Sequence, residues 1–175
     1  MDLKSKIRTI PDYPKPGIMF RDVTTLMGDA EAFAYAIEAM AAPFVGKGIT
    51  QVAGIDARGF VLGGAIAVRL GSGFLPLRKP GKLPYETYSE TYALEYGTDA
   101  LHMHTDGVDE RDLVLLVDDL IATGGTAEAG CKLLRRAGAR IAAAMFLVDL
   151  PELGGADRLR GHGVDVTALL SFEGH

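Results

Sequence analysis

The sequence has little of what stabilises or targets a secreted or membrane-embedded protein. Only one of its 175 residues, Cys131, is a cysteine, so an internal disulfide is excluded. It has no N-terminal apolar segment of the kind that directs secretion, and no apolar run long enough to cross a bilayer. We therefore expect a cytoplasmic protein that has no membrane partner.

The sequence is also short of positive charge and of one common nucleotide-binding signature. Its formal net charge of −5 argues against a general nucleic-acid binder, which is usually basic. No G-x-x-x-x-G-K-[ST] pattern occurs, so a Walker A loop is excluded. An anionic small-molecule substrate is still compatible with this charge, because a local cluster of Arg and Lys can reverse the field inside a cleft.

The composition and the pattern of apolar residues predict an α/β protein. A length of 175 residues with 48% hydrophobic residues is typical of one domain, 1–175, with a sizeable core. Short apolar runs alternate with stretches of helical spacing, which predicts a mostly parallel central sheet flanked by helices. The expected strands are 51–55, 74–78, 113–117, 141–148 and 164–172, and the expected helices are 29–44, 60–70, 127–137 and 157–160.

The stretch VLLVDDLIATGGT, from Val114 to Thr126, carries the strongest functional signal. An apolar strand meets two adjacent carboxylates, Asp118 and Asp119, and a Thr-Gly-Gly-Thr turn follows before a helical pattern. Ligands of open α/β sheets bind beyond the carboxyl ends of the strands. The stretch therefore predicts a binding site, although a plain strand-turn-helix with solvated acids has the same local pattern.

The residue types of this turn indicate which ligand it suits. Gly124 and Gly125 let the backbone turn sharply and approach a ligand closely, and Thr126 is the expected N-cap of the next helix. Free backbone N–H groups at such a helix start favour phosphate. The two acids would repel the same phosphate, so they fit sugar hydroxyls, a metal or both. A ligand with a phosphate beside a ribose diol satisfies the whole stretch.

Two further turns place cations after predicted strands. Arg58 follows strand 51–55, and its guanidinium can grip phosphate oxygens through paired N–H donors; a surface salt bridge is the alternative. Arg78, Lys79 and Lys82 surround a Pro-Gly turn after strand 74–78. These three cations suit a pyrophosphate group, but a solvated loop would have the same composition.

These motifs resemble those of the type I phosphoribosyltransferases. VLLVDDLIATGGT is similar to their motif for phosphoribosyl pyrophosphate (PRPP), and four other stretches narrow the resemblance to the adenine-specific branch: IRTIPDYPKPGIMFRDVTTL, GIDARGF, LRKPGKLPYETYSETYALEYGTD and FLVDL. The resemblance runs from about Ile7 to the C-terminus. It implies the type I phosphoribosyltransferase fold, with a small hood formed by about 1–28 and a flexible lid loop over about 83–107.

The resemblance also implies a reaction, in which the 5-phosphoribosyl group of PRPP passes to adenine and gives AMP and pyrophosphate in purine salvage. Mg²⁺ is the implied cofactor, bound mainly through PRPP rather than by a dedicated set of protein ligands, and a homodimer is the implied assembly. The same reaction on another purine stays open, as does a non-catalytic PRPP-binding regulator. Such a regulator needs a DNA-reading element, which we do not expect before Ile7.

The resemblance further assigns roles to individual residues. The residues implied to act in catalysis are Glu95, Tyr96, Asp118, Asp119 and Arg58. Those implied to bind the PRPP 5′-phosphate are Ala122, Thr123, Gly124, Gly125 and Thr126, and those for pyrophosphate are Arg58, Arg78, Lys79 and Lys82. The adenine-binding residues are Met19, Phe20, Arg21 and Leu150.

Some of these roles are specific. Phe20 is expected to stack on adenine with Leu150 on the second face, while backbone groups of Met19 and Arg21 read the Watson–Crick edge. Glu95 is a candidate for proton transfer at the purine. The bond between Asp56 and Ala57 is expected to be a cis peptide.

Overall fold

The structure, a computed structural model, describes residues 1–94 and 96–174. The strands are β1 (Arg8–Pro11), β2 (Met19–Asp22), β3 (Gln51–Ile55), β4 (Gly73–Leu77), β5 (Thr87–Ala93), β6 (Thr98–His104), β7 (Leu113–Ile121), β8 (Arg140–Asp149) and β9 (Val166–Ser171). The helices are α1 (Thr24–Met27), α2 (Ala30–Ala41), α3 (Arg58–Leu70), α4 (Gly125–Arg136) and α5 (Gly155–Gly161), with short 3-10 turns at Lys4–Lys6, Ala42–Phe44 and Pro151–Leu153.

A five-stranded sheet in the order β4-β3-β7-β8-β9 forms the centre of the domain. Every neighbouring pair in it is parallel, which confirms the expected α/β fold. Successive residues of β7 point to opposite faces, so Leu116 packs in the cluster that includes α4, while Leu115 and Val117 pack with α2 and α3. Because both faces are covered, β7 and β8 are continuous apolar runs rather than alternating ones.

Two antiparallel hairpins lie outside this sheet. β1 pairs with β2 in the segment expected as a hood, with Arg8 opposite Asp22, and the two side chains form an ion pair at 2.6 Å. β5 pairs with β6 in the segment expected as a lid loop. Across the part of the chain that the structure describes, no helix is both long and apolar enough to span a membrane.

The β5-β6 hairpin is packed more closely against the domain than its composition suggested. The sequence shows no strong apolar face over 83–107, yet Tyr92, Leu101 and Met103 are buried in the core cluster that includes α4. A backbone bridge joins Arg78 to His102, with N···O distances of 3.0 and 2.8 Å, and so ties the hairpin to the end of β4. The apolar face was missed because its residues are divided between two strands and separated by polar ones.

The helix starts also differ from the sequence-based expectation. α3 begins at Arg58 rather than near Phe60, so Arg58 is the first helical residue and not part of the turn. The peptide bond between Asp56 and Ala57, directly before it, is cis as expected. α4 begins at Gly125, and its N-cap is Gly124 rather than Thr126.

Candidate active site

The carboxyl ends of the parallel strands meet at one edge of the sheet, where most of the candidate residues lie. Asp118 and Asp119 lie near the C-terminal end of β7, which is longer than the predicted strand 113–117. Arg58 opens the helix that follows β3, and Leu150 comes directly after β8. This edge is the position where ligands bind in open α/β sheets.

The two acids at the end of β7 are held in different environments. Asp119 is 5% exposed, and Nε of Arg58 donates a hydrogen bond to its carboxylate. Oδ1 of Asp118 accepts from the backbone N–H of Asp119 at 2.8 Å. Burial, reinforced by the neighbouring charge of Asp119, raises the pKa of Asp118 well above its usual range. A pair of this kind favours a ligand that brings hydroxyl donors or positive charge.

Gly59 allows α3 to start this close to the acids. A Cβ added at Gly59 would lie 3.0 Å from Oδ1 of Asp118 and 3.0 Å from the carbonyl oxygen of Val117. Any larger residue would therefore push the start of α3, and Arg58 with it, away from β7. The Arg-Gly pair in the sequence is the local signal for this contact.

A tight turn from Ala122 to Thr126 joins β7 to α4 and lines a cavity of about 190 Å³ together with Asp118. Gly124 has a φ of +89°, which favours glycine, whereas Gly125 has an ordinary helical conformation. Because the first N–H groups of α4 have no partner within the helix, they are available to an anion in this cavity.

The turn is supported from behind by the start of α5. The sequence predicted a helix here, over 157–160, but not this contact. The N–H of Gly155 donates to the carbonyl of Ala122 at 3.0 Å. A Cβ on Gly155 would lie 2.5 Å from that carbonyl oxygen, and a Cβ on Gly124 would lie 2.9 Å from Cα of Gly155. Two facing glycines thus permit the contact, and the Gly-Gly pair at 154–155 was the signal that could have revealed it.

A larger cavity, of about 670 Å³, lies between the hood and the ends of β7 and β8. Its lining comprises residues 15–21 of the hood together with Arg58, Asp119, Leu120, Ala122, Thr123, Leu150 and Leu153. Leu120, Ala122 and Thr123 also line the smaller cavity, so the two spaces adjoin. This volume is in the range of small-molecule sites.

The hood supplies both apolar and polar groups to this larger cavity. Phe20 lines it and also packs edge-to-face on Tyr13 at 5.1 Å between ring centroids, while Leu150 is 8% exposed. The guanidinium of Arg21 is engaged elsewhere, since its Nη1 donates to Oγ1 of Thr9 at 2.7 Å.

The cations near the end of β4 are already paired with carboxylates. Nε of Arg78 lies 3.4 Å from Asp56, and Nζ of Lys79 lies 2.7 Å from both Asp99 and the hydroxyl of Tyr92. Burial opposes the charge of Lys79, but these bonds outweigh it and raise its pKa.

Lys82, the third cation of this turn, is exposed. Among the described residues that line the two cavities, none comes from the 78–82 turn. The structure thus brings together the acids, Arg58 and the 122–126 turn, but not the cations after β4.

The tip of the β5-β6 hairpin lies near the hood. Glu95 is outside the described residues, but its neighbour Tyr96 is 77% exposed, and Nζ of Lys15 lies 4.5 Å from the centre of its ring. His102 and His104 share β6, and no cluster of three or more potential metal ligands occurs among the residues the structure describes. Nε2 of His104 instead accepts from the backbone of Tyr85 at 3.3 Å.

Comparisons with known proteins agree with this geometry. Residues 27–160 match the family model for a phosphoribosyl transferase domain. The adenine phosphoribosyltransferase of Maricaulis maris (strain MCS10) is 62% identical, with 99% of each chain covered.

Solved structures are similar over nearly the whole chain. The adenine phosphoribosyltransferase of Thermoanaerobacter pseudethanolicus has a TM-score of 0.93 at 47% identity, covering 98% of each chain. That of Saccharomyces cerevisiae, solved with an imino-altritol bisphosphate and adenine, has a TM-score of 0.90 at 34% identity, covering 97% of each chain.

Replacing Gly124 with alanine should destabilise the turn, whereas replacing Gly125 should not. We expect Gly124→Ala to lower the free energy of unfolding by about 1–3 kcal/mol, because it combines a left-handed φ with a close contact to Gly155. The nearest atom to a Cβ at Gly125 is 3.7 Å away, so Gly125→Ala is the matched control. Urea unfolding measures both, and equal losses would contradict the distinction.

Proposed function

The chain belongs to the adenine phosphoribosyltransferases, and we propose that its two adjoining cavities bind adenine and PRPP side by side. The enzyme transfers the 5-phosphoribosyl group of PRPP to adenine in purine salvage, and the products are AMP and pyrophosphate. The observation that carries the placement is the shared wall of Leu120, Ala122 and Thr123 between the larger cavity and the 122–126 turn. Because the same residues line both spaces, adenine in one cavity would lie next to PRPP in the other.

The larger cavity is assigned to adenine. Phe20 and Leu150 offer apolar surfaces that suit the two faces of a purine, as lining residues of that cavity. The backbone carbonyl and N–H groups of Met19 and Arg21 can pair with the 6-amino group and N1 of adenine. The engagement of the Arg21 side chain with Thr9 supports a role for its backbone rather than its charge.

The smaller cavity is assigned to the 5′-phosphate, and the acids to the ribose. Backbone N–H groups between Ala122 and Thr126 would receive the phosphate at the start of α4. Asp118 and Asp119 would accept hydrogen bonds from the ribose diol. Burial raises the pKa of Asp118, and hydrogen bonds donated by the diol would favour its charged form.

The reaction forms a bond between N9 of adenine and C1 of the ribose while the bond from C1 to pyrophosphate breaks, and the purine loses one proton. Positive charge then builds on the ribose ring, and the carboxylates of Asp118 and Asp119 would stabilise it. Arg58, Arg78, Lys79 and Lys82 would receive the pyrophosphate. Arg58 donates a hydrogen bond to Asp119. Pyrophosphate would attract Arg58 away from Asp119, and the carboxylate of Asp119 would then be available to the ribose diol.

Mg²⁺ is the proposed cofactor. The two acids are hard oxygen donors of the type it prefers, but the described residues hold no group of three or more potential ligands that would form a complete cage. The residues therefore fit a cation held mainly by PRPP, with Asp118 or Asp119 nearby. When bound, the cation would supply positive charge to the phosphates.

The segment 83–107 is proposed to act as a lid that excludes water from the site. The contact of Tyr96, at its tip, with Lys15 of the hood supports this proposal. Glu95 keeps its proposed role in proton transfer at the purine. A cytoplasmic location is proposed as well, in keeping with a purine-salvage enzyme.

The choice of nucleobase is the most direct consequence of the proposed base site. Hypoxanthine presents a carbonyl and an N–H where adenine presents an amino group and an acceptor, so it would leave the backbone groups of Met19 and Arg21 mispaired. We expect kcat/KM for adenine to exceed that for hypoxanthine by roughly 10⁴-fold or more at saturating PRPP.

Purified protein, PRPP, Mg²⁺ and each nucleobase in turn provide the assay, with guanine as a second 6-oxopurine control. A ratio near one would mean that another part of the chain reads the base. It would also favour the same chemistry on a different purine.

We further propose a homodimer in which Lys79 or Lys82 serves the partner's active site. Their absence from the cavities of their own subunit supports this arrangement, as do the exposed apolar residues Val61 and Val68 on α3. Co-expressing an inactive Lys79→Ala variant with an inactive Asp119→Asn variant should restore activity, because one site of the mixed dimer receives both intact groups.

Each variant expressed alone is the control for this complementation. Sedimentation that shows only monomers would contradict the dimer, and a proven dimer without rescue would place the cations in the same subunit as the acids.

A further inference from the structure

A buried acid lies next to the proposed phosphate site. Glu128 is in the first turn of α4, its N–H donates to Gly124 at 2.9 Å, and its side chain is 12% exposed. A carboxylate suits a helix N-terminus, but here it competes with the phosphate for the same positive field. Phosphate binding therefore depends on how the charge of Glu128 is offset.

Three basic side chains surround this carboxylate. Nε of Arg158 donates to Oε2 of Glu128, Nζ of Lys132 lies 3.2 Å from Oε1, and Nε2 of His162 lies 3.5 Å from the same oxygen. Burial acts to raise the pKa of Glu128, but the hydrogen bonds from Arg158 and Lys132 outweigh it, and the pKa falls below its usual value. Glu128 is thus charged, and the positive charge that balances it lies on the neighbouring side chains.

Of these three residues, Arg158 also reaches the phosphate turn. Its Nη1 lies 3.4 Å from the carbonyl oxygen of Thr123 and 3.8 Å from the position a Cβ would take at Gly125. It lines a third cavity, of about 500 Å³, together with Thr123, Gly125 and Thr126. A guanidinium can contact Glu128 and the turn at once because its donors point in several fixed directions, which an ammonium cannot match.

We propose that Arg158 is a positioning residue for the 5′-phosphate, acting by tying Glu128 to the phosphate turn and offsetting its negative charge. The inference rests on the proposed function, since it requires the 122–126 turn to bind the 5′-phosphate. Arg158 sets the affinity for phosphorylated ligands without contacting the base. Its effect should therefore be confined to the phosphate part of the ligand.

Calorimetry with AMP and adenosine isolates that part, because the dissociation constant of adenosine divided by that of AMP measures what the phosphate contributes. Arg158→Gln should lower this ratio roughly tenfold, the scale of one charge-assisted contact at a half-exposed group. The affinity for adenosine should not change, which also shows that the variant is folded. Arg158→Lys, which keeps the charge, should lose less.

Arg160→Gln is the matched control on the same helix. Arg160 pairs with Asp157 at 3.1 Å and with the carbonyl of Val166 at 3.2 Å, so its loss should leave the ratio unchanged. Adding Glu128→Gln to Arg158→Gln should recover most of the loss, since it removes the charge that Arg158 offsets. A purely structural role would not give this recovery.

The possible failures can be told apart. An unchanged ratio in Arg158→Gln, an equal fall in Arg160→Gln or no recovery in the double variant would overturn the role of Arg158. Unmodified protein that neither binds AMP nor consumes adenine and PRPP would instead contradict the proposed function.

Discussion

The close approach of two carboxylates at the end of β7 is the constraint on which the rest of the site depends. Asp118 and Asp119 lie where the strand leaves the core, so their charges are only partly solvated. Arg58 offsets one of them, and the other responds with a raised pKa. Gly59 makes the arrangement possible because it lets the start of α3 touch β7. We propose that a ribose diol supplies the hydrogen-bond donors that this pair of acids favours.

A second set of contacts, distant in sequence, fixes the 122–126 turn beside these acids. Gly124 gives the turn its left-handed conformation, and the close contact with Gly155 restricts the orientation of the backbone N–H groups. Arg158 then joins the same turn to Glu128 in α4. The two cavities adjoin because β7 runs directly from the acids into this turn. The hood lines the larger cavity opposite them.

The features that local pattern determines could be predicted from the sequence, and those that depend on contacts between distant segments could not. The parallel strands could be predicted from the apolar runs. The position of Asp118 and Asp119 at the edge of the sheet could be predicted from their place at the end of such a run. Leu101 has no local pattern that indicates its contacts, and the Gly-Gly pair at 154–155 signals a close approach without identifying the segment that approaches. Thr126 has the chemistry of an N-cap, but the left-handed conformation available to Gly124 ends the turn two residues earlier. The residue roles at the site remain predictions.

We propose above all that Asp119 and its neighbour hold the ribose diol. Binding of AMP and of its 2′,3′-dideoxy analogue to the unmodified enzyme and to Asp119→Asn tests it most directly. We expect the unmodified enzyme to prefer AMP by roughly 10–100-fold, as hydrogen bonds to a charged acceptor imply, and Asp119→Asn to lose most of that preference. A preference that survives unchanged in Asp119→Asn, and in Asp118→Asn, would contradict the claim.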